Sequence, residues 1–207
     1  MLRTFRDLMM ILLALAIAAC APVTPATPEA ALSPEATQPP QGPYPLSTRT
    51  GNEEIDAVLE AVASEEVEAL HALLQFGRLE CTLQDGLGGP PKCEEGEAEG
   101  TVVEALPFLG GEGSFLRKKN LENWKGIEVS GIYAIYEVSP EVYSDDYYPA
   151  GEQTILLASS RDDQPIALRL RDGKIVRIDY LFDFGMESLD AILQREAANI
   201  ILAVSTK

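Results

Sequence analysis

A proline-rich segment divides this chain into an apolar N-terminus and a longer part that can form a core. Eight of the fourteen prolines lie between Pro22 and Pro45, among Ala, Thr and Ser. Prolines lack backbone donors, and such a composition buries too little apolar surface to fold. The segment is therefore predicted to be an extended, solvated tether. Residues 51–207 are predicted to form one domain, and their length suffices for a proper core.

The N-terminus has the pattern of an export signal. Arg3 and Arg6 form a short positive region, and an uninterrupted apolar run, Leu8–Ala19, follows them. This run is too short to span a bilayer and is typical of the core of a signal peptide. Residues 1–19 are therefore predicted to be a signal peptide.

The residues that close this run, Ile17-Ala18-Ala19-Cys20, place small side chains just before a cysteine. They resemble the lipobox of bacterial lipoproteins. The resemblance implies lipidation of the Cys20 thiol, with residues 20–50 tethering the domain to the extracytoplasmic side of a bacterial membrane. An ordinary secretory cleavage site with an incidental cysteine is the alternative.

Two cysteines, Cys81 and Cys93, remain once Cys20 is assigned to lipid. In an exported protein an even remainder favours a disulfide. Zinc would need four ligands, and the chain adds only His71 to these two thiols. The eleven residues between the cysteines also differ from the two of a redox motif. We predict that a Cys81–Cys93 bridge closes the intervening loop.

Net charge and motifs limit the possible functions. The formal charge of −17 disfavours nucleic acid and anionic lipid as partners. The single His71 is predicted to be a packed or boundary residue, and the sequence has no nucleophile elbow, P-loop, HExxH or dinucleotide fingerprint. No cofactor and no catalytic residue are predicted, and the pattern favours a binding protein over an enzyme.

The apolar periodicity of the domain predicts short helices followed by strands. Asn52 is a predicted helix cap, and two apolar stripes at helical spacing follow it, ending at Gly77. Alternating patterns then predict a series of strands: around Leu79–Leu83, Thr101–Leu106, Ile127–Val138, Thr154–Ser159, Ile166–Leu170 and Ile175–Phe182. Met186–Ala203 is predicted to be a closing helix.

The hairpin around Asp172 and Gly173 is predicted from the faces of its strands. A three-residue loop, Arg171–Gly173, would set Leu168 opposite Val176, whereas a two-residue turn would set it opposite Arg177. We therefore predict a type I turn with a bulge at Gly173. The outer face is predicted to carry Arg169, Arg177, Asp179 and Asp183 as solvated side chains.

Two segments, IDAVLEAVASEEVEALHALL (55–74) and RDGKIVRIDYLFDF (171–184), resemble the NTF2-like, or cystatin-like, α+β family. The resemblance implies N-terminal helices packed on a curved, mostly antiparallel, cone-shaped sheet, with a closing C-terminal helix. It also implies a pocket inside the cone, which some members use for catalysis.

Two acidic regions are candidate sites. The preferred one is a loop with aromatic and acidic side chains, which suit sugar stacking or a protein partner: Tyr143, Asp145, Asp146, Tyr147 and Tyr148. Alternatively, these tyrosines cover the end of the sheet. The other region surrounds the predicted disulfide and could offer oxygens to calcium, although the spacing of a calcium loop is missing: Asp85, Glu94, Glu95, Glu97 and Glu99.

The sequence thus predicts a membrane-anchored lipoprotein of the cell envelope. Its domain is predicted to bind an unknown small molecule, a glycan or an envelope protein without catalysis. The alternative is a small-molecule enzyme that uses an NTF2-like pocket.

Overall fold

The computed structural model describes residues 42–86, 88–109, 114–161, 164–181 and 187–205. The predicted signal peptide, Cys20 and most of the predicted tether lie outside the described residues, as does Asp183. The α-helices are α1 (Glu53–Ala63), α2 (Val67–His71) and α3 (Glu187–Glu196), and Lys118–Asn123 forms a 3-10 helix. The strands are β1 (Gly77–Glu80), β2 (Val102–Leu109), β3 (Ser114–Arg117), β4 (Val129–Val138), β5 (Gln153–Ser159), β6 (Pro165–Arg171), β7 (Lys174–Tyr180) and β8 (Ala197–Ala203).

Helix α1 begins where the sequence predicts a cap. The Asn52 side chain accepts hydrogen bonds from the N–H groups of Glu54 and Ile55, two donors that have no partner inside the helix. Acidic side chains in the first turn complement the helix dipole. The apolar stripe, which includes Val58 and Leu59, is fully buried.

The strands described here form one mixed sheet in the order β1-β2-β7-β6-β5-β4-β8, and β3 pairs with β2 off this path. The β2–β7 pair, at Phe108–Ile178 and Leu109–Asp179, is parallel, and the other strand pairs are antiparallel. One apolar cluster joins the buried stripe of α1 to the central strands. A second cluster joins α3 to side chains such as Leu156 and Ala167, which alternate with those of the first cluster. Both faces of the central strands are therefore buried.

The predicted fold class is wrong: the protein is mainly β, an eight-stranded mixed sheet with a few short helices rather than helices packed on a sheet with a closing helix. The predicted closing helix stops at Glu196, and the chain continues as β8 along β4, with Ala197 opposite Val138. The β-branched Ile200 and Ile201 favour extended backbone. Strand β4 supplies the main-chain partners, which are far away in sequence.

The predicted three-residue turn is also wrong. Arg171 pairs with Lys174, so Asp172 and Gly173 form a two-residue turn, with φ of 50° and 68° at the two positions. Positive φ at both positions is the geometry of a type I′ turn. Leu170 pairs with Ile175 and Arg169 with Arg177, which leaves Val176 as an extra residue on β7. Because of this bulge, Leu168 lies opposite Ile178. The apolar side chains of β6 and β7 are therefore brought onto the same face by an extra residue within β7, and not by an extra residue in the turn.

The predicted solvated outer face is wrong for two of its members. Arg169 is 5% exposed and Asp179 is 3% exposed. Helix α3 covers this face, where its Leu189, Ile192 and Leu193 contribute to the second apolar cluster. A charged alternation along a strand is typical of a solvated face, but these charges lie beneath a helix from another part of the chain.

Candidate functional site

The predicted acidic and aromatic residues lie on one ordered loop, Tyr143–Tyr148, between β4 and β5. Asp145 organises it, because its carboxylate accepts hydrogen bonds from the N–H groups of Tyr147 (2.9 Å) and Tyr148 (2.6 Å). The Tyr143 hydroxyl donates to the same carboxylate at 2.6 Å. That hydroxyl is the main reason why the pKa of Asp145 lies below its ordinary value, and the two N–H groups add to the effect.

The loop divides into a packed part and an exposed part. The Tyr148 hydroxyl donates to the Gly89 carbonyl oxygen at 2.7 Å, and its ring lies 5.5 Å from that of Phe115. Tyr147 packs against the apolar cluster that contains Cys81. Tyr143, in contrast, is 73% exposed. Two of the three tyrosines therefore cover the sheet, as the alternative interpretation predicted, and one remains on the surface.

The Cys81–Cys93 disulfide is present, with the two Cα atoms 4.9 Å apart. Two backbone hydrogen bonds also hold the ends of the loop together. The Thr82 N–H donates to the Pro91 carbonyl oxygen, and the Cys93 N–H donates to the Thr82 carbonyl oxygen, both at 2.9 Å. Because Tyr148 bonds to Gly89 inside this loop, the disulfide and the Tyr143–Tyr148 loop form one connected unit.

Two of the acids proposed as calcium ligands, Glu94 and Glu97, form ion pairs instead. Glu97 lies 2.7 Å from the buried guanidinium of Arg117 and 2.9 Å from the Lys119 ammonium. Lys119 also lies 2.7 Å from Glu94. The Glu94 N–H first, then Lys119 and Arg117, lower the pKa of Glu97 to about 2.

The remaining acids of that set do not converge. The Glu99 carboxylate accepts a hydrogen bond from the Leu83 N–H, while Asp85 and Glu95 are exposed. Among the described residues, no group of three or more His, Cys, Asp or Glu side chains is arranged to hold a metal ion.

A groove of about 380 Å³ lies between the Tyr143–Tyr148 loop and the sheet, and we call it the fork groove. It lies where the segment before β1 passes from β7 to β2: Leu74 forms an isolated bridge with Ile175 of β7, whereas Gly77, at the start of β1, pairs with Ala105 of β2. Its lining includes apolar groups and polar ends from five segments: Gln75, Phe76, Pro107, Asp146, Tyr147, Arg171 and Val176.

Sequence reasoning found only the part of the fork groove that belongs to the Tyr143–Tyr148 loop. Phe76 precedes β1, Pro107 lies within β2, and Val176 is the extra residue of the β7 bulge. No local pattern connects these positions, because only the sheet topology brings them together. A bulge next to the groove is consistent with the frequent occurrence of bulges at binding sites.

A buried cluster of polar groups lies beneath α3 and was also missed. Arg169 contacts Asp179 at 3.2 Å, Glu196 at 2.8 Å and the Thr154 hydroxyl at 3.0 Å. The Tyr136 hydroxyl donates to Glu196 at 2.9 Å, and burial raises the pKa of Tyr136. Burial alone would raise the pKa of Glu196, but the charge of Arg169 and several donors hold it below the ordinary value. These groups satisfy one another and connect α3 to the sheet.

His71 stacks on Trp124, with ring centroids 5.6 Å apart and planes 22° apart. His71 is half-buried, and Trp124 packs against the first apolar cluster. This placement at the edge of the core agrees with its predicted packed or boundary role.

Comparisons with known proteins give no relative for this chain: no family model, no curated protein and no solved structure matches it. Within the part of the chain that the structure describes, no helix is long and apolar enough to cross a membrane.

Proposed function

We propose that this protein is a lipid-anchored, extracytoplasmic binding module of a bacterial cell envelope. Its contact surface in this proposal is the Tyr143–Tyr148 loop together with the fork groove. The observation that carries the proposal is the connection of an exposed tyrosine, Tyr143, to a disulfide-closed loop through the bond from Tyr148 to Gly89.

The Cys81–Cys93 disulfide supports the proposed compartment. Disulfides persist in oxidising spaces and are rare in the bacterial cytosol. The sequence before the domain supports a lipid anchor, because Ile17-Ala18-Ala19-Cys20, at the end of the apolar run, resembles a lipobox. Several acyl chains on one residue would hold the protein stably at a membrane, because a single chain binds only marginally.

The arrangement of the Tyr143–Tyr148 loop supports binding. Exposed aromatic side chains contribute strongly to contact surfaces, and a fixed loop loses little conformational entropy when a partner binds. Asp145 holds two backbone N–H groups and the Tyr143 hydroxyl, so this surface is ordered before any partner arrives. Glu97 and Arg117, in contrast, form an ion pair with each other, so they are less available to a partner than the Tyr143–Tyr148 loop.

The anchor is tested by fractionation of bacteria that express the full chain, combined with intact mass analysis. The wild-type protein should sediment with membranes and carry acyl mass on Cys20. Cys20→Ala should move to the soluble fraction, while the matched cysteine variant Cys93→Ala should stay with membranes. Equal membrane association of Cys20→Ala and wild type would refute the anchor.

The contact surface is tested by quantitative capture from envelope extracts on immobilised protein. Tyr143→Ser should reduce the captured amount several-fold. Leu83→Ser removes another exposed apolar side chain, one that is outside the loop and 61% exposed, and should leave capture unchanged. Equal losses in both variants would show nonspecific apolar adsorption and would contradict a site on this loop.

A further inference from the structure

We infer that the fork groove binds a short peptide segment that carries both a cationic group and a carboxylate. The inference rests on the proposed function, in which this groove is part of the contact surface, and it adds the chemical class of the ligand. The basis is the pair of opposite charges, Asp146 and Arg171, which line the same groove and are both exposed.

Neither of these two charges has a partner among the described residues: no ion pair or side-chain hydrogen bond involves the Asp146 carboxylate or the Arg171 guanidinium. Elsewhere on the surface, opposite charges that are close together do pair, as Lys118 and Glu104 do at 2.7 Å. The groove thus offers one free anion and one free cation at separate points. A ligand with both signs of charge can satisfy the two at once.

The remaining lining fits the body of a peptide. Pro107 and Val176 are buried, and Phe76 and Tyr147 are half-buried, so the groove has an apolar surface against which small side chains can pack. Gln75 is exposed, and its amide can both donate to and accept from a peptide bond. The groove volume of about 380 Å³ lies within the usual range for small-ligand sites.

A neutral saccharide explains these features less well. Sugar hydroxyls can bond to a carboxylate, an amide or a guanidinium, and sugars stack on aromatic rings, but they give no reason for opposite charges that stay apart in one groove. The free charges of Asp146 and Arg171 therefore favour a peptide, with its ammonium group towards Asp146 and its carboxylate towards Arg171.

The test is a titration of the mature chain with trialanine, followed by backbone amide NMR shifts. Three forms of the peptide are compared: one with both termini free, one N-acetylated and one C-amidated. Free trialanine should shift amides of residues that line the groove. Each blocked form should bind about three- to fivefold more weakly, because an ion pair at an exposed rim contributes little.

Charge-neutralised variants connect each terminus to one residue. In Asp146→Asn, N-acetylation should cause no further loss, whereas C-amidation should still weaken binding; Arg171→Gln should show the reverse. Glu141→Gln, in the loop that precedes the site, and Arg78→Gln, between two lining residues of β1, are matched controls and should behave like wild type.

Equal binding of free and blocked trialanine by the wild type would overturn the inference, as would shifts confined to residues outside the groove. N,N′-diacetylchitobiose serves as the saccharide probe. If it shifts the groove amides and trialanine does not, the peptide assignment is wrong while the proposed binding function stands. Failure of the proposed binding function itself would be seen in the capture and fractionation experiments, which do not depend on the identity of the ligand.

Discussion

Arg169 Nη1 lies 2.8 Å from Glu196 Oε2, and this ion pair connects strand β6 to the last residue of α3. Both side chains are buried, and Arg169 also contacts Asp179 and the Thr154 hydroxyl. Glu196 is the point where the chain changes from helix to strand, and its carbonyl accepts a hydrogen bond from the Ser139 N–H at 2.7 Å. The cluster thus fixes the position at which α3 ends and β8 begins.

Replacement of Arg169 should strongly destabilise the domain. Arg169→Met removes the cation that the buried Asp179 and Glu196 share. Asp179 keeps Arg177 and Glu196 keeps Arg195, each at 2.7 Å and each more exposed than Arg169, so the free energy of unfolding should fall by about 3 kcal/mol. Urea unfolding followed by circular dichroism measures the change. Arg161→Met is the matched control, because its ion pair with Glu128 is exposed, and it should cost about 1 kcal/mol or less. Equal losses in the two variants would contradict a structural role for the buried cluster.

The sequence predicts features that depend on neighbouring residues. The helix cap at Asn52 follows from residue types within one turn, and the Cys81–Cys93 bridge follows from the cysteine count together with the predicted compartment. The Asp172-Gly173 pair also marks a turn correctly. Its type was predicted wrongly, because matching apolar faces across the turn assumed an unbroken register, and the extra Val176 restores that register later in β7.

Features that depend on distant contacts could not be predicted in the same way. Asp179 alternates with apolar residues as a solvated side chain would, yet it is buried because α3 lies over it. The apolar residues of Ala197–Ala203 are compatible with either a helix or a strand. Their pairing with β4 makes this segment the strand β8. The fork groove likewise combines Gln75, Pro107 and Arg171, which no sequence window contains.

Gly151, which lies between the Tyr143–Tyr148 loop and β5, should tolerate no side chain. Gly151 has φ of +78°, and a Cβ there would lie 2.8 Å from the Leu170 carbonyl oxygen. Gly151→Ala should therefore lower the free energy of unfolding by more than about 1 kcal/mol. Gly51→Ala is the control: φ is +82°, but no atom lies within 4 Å of the added Cβ. Thermal unfolding of both variants separates the clash from the backbone strain, and an equal loss in each would show that the clash is unimportant.

The disulfide should stabilise the domain by restricting the unfolded chain. Its cysteines are 12 positions apart, and closure of such a loop is worth about 3 kcal/mol in the chain-entropy model. Alkylation and intact mass of the soluble domain should find no free thiol, and urea unfolding with and without reductant should differ by about that amount. Two alkylated thiols in the unreduced domain would refute the bridge.

Reduction should also disturb the Tyr143–Tyr148 loop, because the Tyr148 hydroxyl bonds to Gly89 within the disulfide loop. The amide NMR signals of the Tyr143–Tyr148 loop should shift when the bridge is reduced at a denaturant concentration that leaves the domain folded. Signals from α1, which makes no described contact with the disulfide loop, serve as the reference. Shifts of equal size in both regions would indicate general loosening rather than a direct connection.

Acid should weaken the ion pairs of Glu97. The pKa of this carboxyl is lowered from an ordinary value of 4.5 to about 2, so between these values the unfolded chain binds more protons than the folded one. The stabilisation is therefore fully present above about pH 4.5 and is lost as the pH falls towards about 2. Glu97→Gln should flatten the dependence of stability on pH in this window, since Arg117 and Lys119 then lose a charged partner at every pH.

Urea midpoints measured from pH 2 to pH 6 report the effect. Glu95→Gln, in the same loop but without an ion pair among the described residues, should keep the wild-type slope, and an unchanged slope in Glu97→Gln would contradict the assignment.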